Sequence, residues 1–262
     1  MEADTGEPTV LVEDRGTTRL ITLNRPAKRN AIDLTLRVEL ADALEAAMSE
    51  ESVRAVVLTG AGKAFCSGGD ISTMDRQGPE KTVIRAQAAQ RVIRAIWGGT
   101  KPVLAAVEGS AFGAGVSLAM ACDRVVASEE AVLSTAFTGV GLAGDMGIFS
   151  SLPSRVGPTV AKQLMMLPRR LSAVEGLELG MVDEIVPAGT ALDCALADAE
   201  VIAAAPPLAL REMKWIWSRG AVAPMDLLDL EVEAQARLFD TEDFAEGVAA
   251  FAAKRKPVFR GR

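Results

Sequence analysis

The chain contains no histidine and no tyrosine. Without histidine, Ser-His and Cys-His nucleophile pairs and His-ligated metal sites are excluded. Proton transfer must fall to a carboxylate, a lysine, a cysteine or water. Cysteine is scarce: Cys66, Cys122 and Cys194 are odd in number and far apart. They show no zinc-ligand spacing and read as reduced thiols, which predicts a cytoplasmic protein with no metal. Long apolar runs are missing too. The longest small-and-apolar stretch, Ala111 to Cys122, falls short of the ~20 residues that cross a bilayer. The opening Met1-Glu2-Ala3-Asp4 has neither the basic start nor the apolar stretch of a secretion signal. Excess positive charge is also lacking. The formal net charge is −7, so neither nucleic acid nor an anionic membrane is expected as a partner. An anionic ligand would need a local basic patch. Lys28-Arg29 and the run Lys254, Arg255, Lys256, Arg260 and Arg262 offer two, each of which reads equally as solvated surface charge.

What is present is a core. With 262 residues and 49% hydrophobic composition, the chain has the size of one large globular domain. It opens like a hairpin: Thr9 to Glu13, a turn at Asp14-Arg15-Gly16, then Thr18 to Leu23. Leu36, Leu40, Leu44 and Ala47 follow at helical spacing, and Ile84, Ala88, Val92, Ala95 and Ile96 form a second such stripe, ended by Trp97-Gly98-Gly99. Val53 to Thr59, Pro102 to Val107 and Asp123 to Ala127 read as buried strands, and Gly115 to Cys122 as a short buried helix. Beyond Gly147 the pattern is almost wholly helical, with breaks at Pro158, Pro168, Pro187, Pro206-Pro207 and Pro224. The expectation is an α/β core over residues 1–200, built as a repeating coil of ββα layers, followed by a helical region over 201–262.

Two segments carry the chemistry. Ala64-Phe65-Cys66-Ser67-Gly68-Gly69-Asp70-Ile71 and Gly109-Ser110-Ala111-Phe112-Gly113-Ala114-Gly115 each follow a strand and place small residues where a helix should begin. Small side chains admit a ligand to the backbone, and the first N–H groups of a helix lack intrahelical partners. Two such turns side by side could aim two N–H donors at one oxygen, forming an oxyanion hole. Gly60-Ala61-Gly62-Lys63 fails as a phosphate loop because its glycine spacing is wrong and Ala64 replaces the required hydroxyl residue. Gly113-Ala114-Gly115 fails as a dinucleotide fingerprint because Leu118 stands where the third glycine should be.

The first of these segments resembles the first signature of the crotonase superfamily, the enoyl-CoA hydratases and isomerases. Asn24-Arg25-Pro26-Ala27-Lys28-Arg29-Asn30-Ala31 resembles the family's opening, Lys101-Pro102 through Asp123-Arg124 its second signature, and Phe251-Ala252-Ala253-Lys254-Arg255 its ending. Leu171-Ser172-Ala173 through Gly180-Met181-Val182 also fits, so the match runs in order over nearly the whole chain. The resemblance implies a crotonase-like spiral of ββα units with a C-terminal helical region that assembles trimers or dimers of trimers. It implies an acyl-CoA thioester substrate, with CoA as part of the substrate and no separate cofactor. The Gly69 and Ala114 N–H groups would hold the thioester oxygen. Ser67, Asp70, Ile71 and Ser72 would line the CoA bend, Lys28 and Arg29 would lie near the phosphates, and Phe251 and Lys254 would close over the adenine end, from a neighbouring subunit if not from the same one.

The departures are as informative. The two glutamates that activate water in family hydratases fall on Ser117 and Phe137 here, and neither side chain can act as acid or base near neutrality. Gly141-Leu142-Ala143-Gly144-Asp145-Met146-Gly147 resembles the segment in which isomerases of the superfamily carry a catalytic aspartate. The phenylacetate-pathway isomerases, which open an epoxidised ring, resemble it further, with small or apolar residues at both glutamate positions. Family dehalogenases also carry an aspartate there but use a histidine, which this chain lacks. Asp145 is equally placed to cap a helix beginning at Met146. Its apolar neighbours Leu142, Met146, Ile148 and Phe149 would raise its carboxyl pKa. The acyl pocket is expected to be apolar, walled by Met74, Phe112, Phe137, Leu142 and Ile148. The reading is an acyl-CoA isomerase with Asp145 as proton shuttle and Phe137 against the substrate. A weak enoyl-CoA hydratase and a non-catalytic acyl-CoA-binding protein are the alternatives.

Overall fold

The structure, a computed structural model, describes residues 8–76, 78–220 and 222–262. The opening Met1-Glu2-Ala3-Asp4, read above for a secretion signal, lies outside the described residues. Strands β1 (Val10–Arg15), β2 (Thr18–Leu23), β3 (Ala55–Gly60), β4 (Val103–Val107), β6 (Arg124–Ser128) and β9 (Glu184–Val186) form one sheet in the order β1-β2-β3-β4-β6-β9. Only the β1/β2 hairpin is antiparallel. Arg15 pairs with Thr18, so its turn is Gly16-Thr17, one residue later than Asp14–Gly16. Gly16 takes a φ of +62° there, where its lack of a Cβ removes the strain.

Central strands are apolar throughout because both faces of the sheet are covered. Ala55 and Val57 of β3, with Leu104 and Ala106 of β4, face helix α7 (Ala191–Ala203). That helix meets them with Ala191, Ala195, Ala199 and Ala203, a stripe of small side chains. Val56, Leu58, Val103, Ala105 and Val107 face the opposite way, into the larger core. There they meet Leu36, Leu40, Leu44 and Ala47 of α1 (Leu34–Ser49) and Val92 and Ile96 of α2 (Pro79–Trp97). The buried residues of α2 are Ala88, Ala89, Val92, Ile93, Ala95 and Ile96, whereas Ile84 is 60% exposed. The helix's first two turns project beyond the core, so the expected place of Ile84 on the buried stripe is corrected.

A second, smaller sheet pairs β5 (Ser110–Phe112) with β7 (Val132–Ser134), and β7 with β8 (Leu171–Ser172). Isolated bridges Ala64↔Gly109 and Cys66↔Ala111 extend this layer to the segment after β3. Each successive turn of chain therefore contributes one strand to the main sheet, one short extended segment to the second layer, and a helix. This is the ββα coil expected from the two strand–glycine-turn–helix units. Helices α3 (Ala114–Ala121), α4 (Ile148–Val156), α5 (Pro158–Met166) and α6 (Ala173–Leu179) follow the second layer, and α8 (Pro207–Trp217), α9 (Pro224–Phe239) and α10 (Glu242–Ala252) end the chain. Pro158, Pro207 and Pro224 begin helices, where a missing N–H costs nothing. Strands β8 and β9, only two and three residues long, interrupt the region read as helical. Among the described residues no helix is long and apolar enough to cross a membrane.

Candidate active site

The two glycine turns lie side by side because backbone hydrogen bonds hold them there. Cys66 N–H donates to Ser110 O at 3.0 Å, and Phe112 N–H donates back to Cys66 O at 2.9 Å. Ile32 N–H donates to Gly68 O at 2.7 Å and Asp70 N–H to Ile32 O at 2.9 Å. In this parallel bridge Gly69 is the residue between, so its own N–H points away from Ile32. Ala114 opens α3, where the first N–H groups have no intrahelical acceptor. Among the described residues, neither the Gly69 nor the Ala114 N–H donates to a protein atom. Gly68, at φ +100°, sits between them: a Cβ there would lie 2.8 Å from Phe112 O and 3.8 Å from Ala114 N. Close packing continues inside, where a Cβ on Gly115 would fall 2.3 Å from Cys66 O.

The residues at the hydratase glutamate positions are both buried and both occupied. Ser117 Oγ donates to Gly113 O, 3.4 Å away in its own helix. The Phe137 ring spans the gap between the two functional segments. Its Cε1 lies 3.8 Å from where a Cβ on Gly113 would be, and its Cδ2 3.5 Å from where one on Gly144 would be. The ring thus fixes the separation of the α3 N-terminus from the Asp145 loop.

That loop is shaped by Gly141, Gly144 and Gly147, all at positive φ, before α4 begins. Asp145 does not cap α4. The N-cap is Gly147, no side chain caps the helix, and Asp145 contributes only its backbone carbonyl, 3.3 Å from Ile148 N. The capping alternative is thereby corrected: the helix starts two residues later than that role requires. Asp145 Oδ2 instead lies 3.4 Å from Arg37 Nη2, and Oδ1 is buried without a hydrogen-bond partner among the described residues. The apolar surroundings expected for it are only half there. Met146 and Ile148 are buried, but Leu142 and Phe149 are exposed and the Arg37 guanidinium is the near neighbour.

A cavity of about 310 Å³ lies in front of Asp145. Met74, Phe137 and Leu142 line it as expected, while Phe112 and Ile148 do not. The pocket is mainly apolar, as expected, but Arg37, Arg85, Thr73 and Thr82 line it too. Arg37 is buried, and desolvation lowers its pKa, an effect that the Asp145 carboxylate opposes. The sequence carries a trace of this: Arg37 stands beside Leu36 at the spacing of Ala41 and Leu44, a charged residue on a buried stripe. Arg85 likewise falls one turn before Ala88 and Ala89.

The residues expected around the CoA bend form one cluster. Asp70 accepts from Arg25 Nη2 at 2.9 Å, Lys28 Nζ at 3.2 Å and Ser72 Oγ at 2.6 Å. Burial pushes its carboxyl pKa up, but these donors outweigh burial and hold it at about 2. Asp70 therefore braces the Gly68-Gly69 loop, with Lys28 as a half-exposed partner. Ser67 is tied to the same loop, its N–H donating to Arg29 O and its Oγ to Lys28 O. Arg29 is exposed and forms no ion pair among the described residues, and Ile71 and Ser72 are exposed beside it. Phe251 and Lys254 are not brought to this cluster within the chain. Phe251 is 88% exposed and lines a separate cavity among the C-terminal helices.

Other reactive groups are spoken for. Burial pushes the Cys66 and Cys122 thiols up to about 12, so neither supplies a thiolate. Glu184, Cys194 and Asp198 have the donor set of a metal site, but Arg124 pairs with both carboxylates and fills the place of a cation.

The geometry can be set beside known proteins. A family model described as enoyl-CoA hydratase/isomerase matches residues 13–262. A Rhodobacter capsulatus protein named "Probable enoyl-CoA hydratase" is 38% identical over 244 residues, covering 93% of this chain and 94% of that one. The 1,2-epoxyphenylacetyl-CoA isomerase of Escherichia coli K12 is 34% identical over 249 residues, covering 92% and 94%. The crystal structure of an enoyl-CoA hydratase from Polaromonas sp. JS666 superimposes with a TM-score of 0.92 at 35% identity, covering 96% of this chain and 99% of that one.

Proposed function

The chain belongs to the enoyl-CoA hydratase/isomerase family and has its crotonase fold, and from that premise we propose that it is an isomerase of acyl-CoA thioesters. The Gly69 and Ala114 N–H groups receive the thioester oxygen and favour the negative charge that grows on it as an enolate forms. Asp145 removes a proton from one carbon and returns it at another, which shifts a double bond or rearranges a ring. The reading calls for no metal and no cofactor beyond the CoA carried by the substrate.

One observation carries this choice over hydration. The two water-activating positions hold Ser117, spent on its own helix, and the buried ring of Phe137, while the part-exposed Asp145 places a carboxylate in the cavity lining. A protein that only bound acyl-CoA would have no use for that carboxylate. Self-association into a trimer or dimer of trimers, in the cytoplasm, belongs to the same reading. Met213, Trp217, Met225, Val232 and Phe239 of α8 and α9 are exposed in the single chain, an apolar surface larger than a lone protomer would leave to water.

Asp145→Asn tests the proposal. Asparagine keeps the size and an acceptor for Arg37 but cannot cycle a proton. Turnover should fall by ~10²–10⁴-fold with acyl-CoA binding unchanged. A loss within twofold would overturn the assignment.

A further inference from the structure

Two guanidinium groups, those of Arg37 and Arg85, belong to residues that line the cavity in front of Asp145. Arg37, only 3% exposed, donates through Nη1 to Arg85 O at 3.0 Å and through Nη2 to Asp145, and its Nε is left buried without a partner. Arg85 Nη2 is buried and unpartnered as well, and Arg85 forms no ion pair among the described residues. The lining thus holds two guanidinium groups and two carboxylates: Asp145 pairs with Arg37, Asp75 is exposed to solvent, and the Arg85 guanidinium has no carboxylate paired with it among the described residues. The Arg85 position matters most. Its Nη2 lies 3.9 Å from where a Cβ on Gly69 would be, and the Met74 methyl 2.3 Å from the same point. The Arg85 guanidinium therefore neighbours the residue at which the thioester would sit.

A dry N–H on a charged group is costly when nothing accepts from it. A hydrocarbon chain would leave that cost in place and desolvate the cations further. A carboxylate answers it, because its two oxygens match the planar fork of a guanidinium.

We infer that the acyl group of the substrate carries a carboxylate of its own, bound by Arg85 with Arg37 beside it. This rests on the reading that the thioester sits at Gly69 and Ala114, and it names the substrate class of that site. Arg85 is the specificity-determining residue. Arg37 holds both the Arg85 backbone and Asp145.

Binding can be separated from turnover with thioesters that cannot isomerise. Calorimetry would compare a saturated ω-carboxyalkanoyl-CoA with the alkanoyl-CoA of equal chain length, on the full chain and on Arg85→Met, with thermal melts confirming that the variant folds. The wild-type protein should bind the carboxylated thioester about tenfold or more tightly, equivalent to ~1.4 kcal/mol or more. Arg85→Met should erase that preference and leave alkanoyl-CoA binding within twofold. Equal wild-type affinities, a preference that survives Arg85→Met, or an equal loss for both thioesters would each overturn the inference. Because neither probe reacts, failure of the Asp145→Asn test would leave this preference standing, and loss of the preference would leave that test untouched.

Discussion

Arg37 sets its Nη2 3.4 Å from the Asp145 carboxylate while only 3% of its side chain is exposed. The pair joins the first long helix to a loop more than a hundred residues later and fixes the carboxylate at the cavity wall. A buried guanidinium tolerates the loss of charge on its partner better than the loss of the accepting atom. Asp145→Leu should therefore destabilise the fold by at least ~1 kcal/mol more than Asp145→Asn. Denaturant melts of the two variants check this, and equal stabilities would show that Asp145 contributes nothing to holding Arg37.

Two glycine substitutions should fail in different ways. A Cβ on Gly69 would meet the Met74 methyl at 2.3 Å, the movable tip of a flexible side chain. A Cβ on Gly115 would meet Cys66 O at 2.3 Å, a fixed backbone atom. Gly69→Ala should fold normally but lose ~10²-fold or more in turnover, because the added methyl crowds an oxyanion donor. Gly115→Ala should lose ~2 kcal/mol or more of stability. Melting curves and rates measured together check the contrast, and it fails if Gly69→Ala remains fully active.

Acid should expose the brace under the Gly68-Gly69 loop. Asp70 has its folded-state pKa lowered from 3.8 to about 2. A lowered folded value means that the native state binds fewer protons than the unfolded chain. The stabilisation is therefore complete above ~pH 5 and is lost as pH falls toward 2, with a size of ~2 kcal/mol. Stability measured from pH 6 downward should fall more steeply for the wild-type protein than for Asp70→Asn. Parallel curves would contradict the assignment.

The basic opening should matter unequally for CoA. Lys28 shares its charge with Asp70, whereas Arg29 is exposed and unpaired among the described residues. Affinity for acyl-CoA should weaken with added salt, and Arg29→Ala should weaken it more than Lys28→Ala, each by no more than ~1 kcal/mol. Titrations at two ionic strengths check this, and salt-independent binding would show that both are solvated surface residues.

How far the sequence led depends on the kind of signal. The central strands were legible because both faces of β3 and β4 are buried, which writes a continuous apolar run. The two glycine turns were legible because backbone contacts leave no room for side chains at Gly68 and Gly115. Strands β8 and β9 were not, since two or three residues cannot show a period of two. Asp145 was visible as a motif, but its partner was not: Arg37 is distant in sequence, and only its place on a buried helical stripe hinted at an inward charge. The two guanidinium groups in the cavity lining were missed for the same reason, because Arg37 and Arg85 come from helices read for their apolar faces alone.

An isomerase of acyl-CoA thioesters, as proposed for this protein, would move protons between carbons without adding water. Supplying wild-type protein with 3-enoyl-CoA and, separately, 2-enoyl-CoA thioesters, with and without a carboxylate on the acyl chain, and following double-bond migration and 3-hydroxyacyl-CoA formation side by side, tests it most directly. Migration should run at least ~10²-fold faster than hydration, the factor a missing acid–base pair removes. Hydration at a rate equal to or above migration would contradict it.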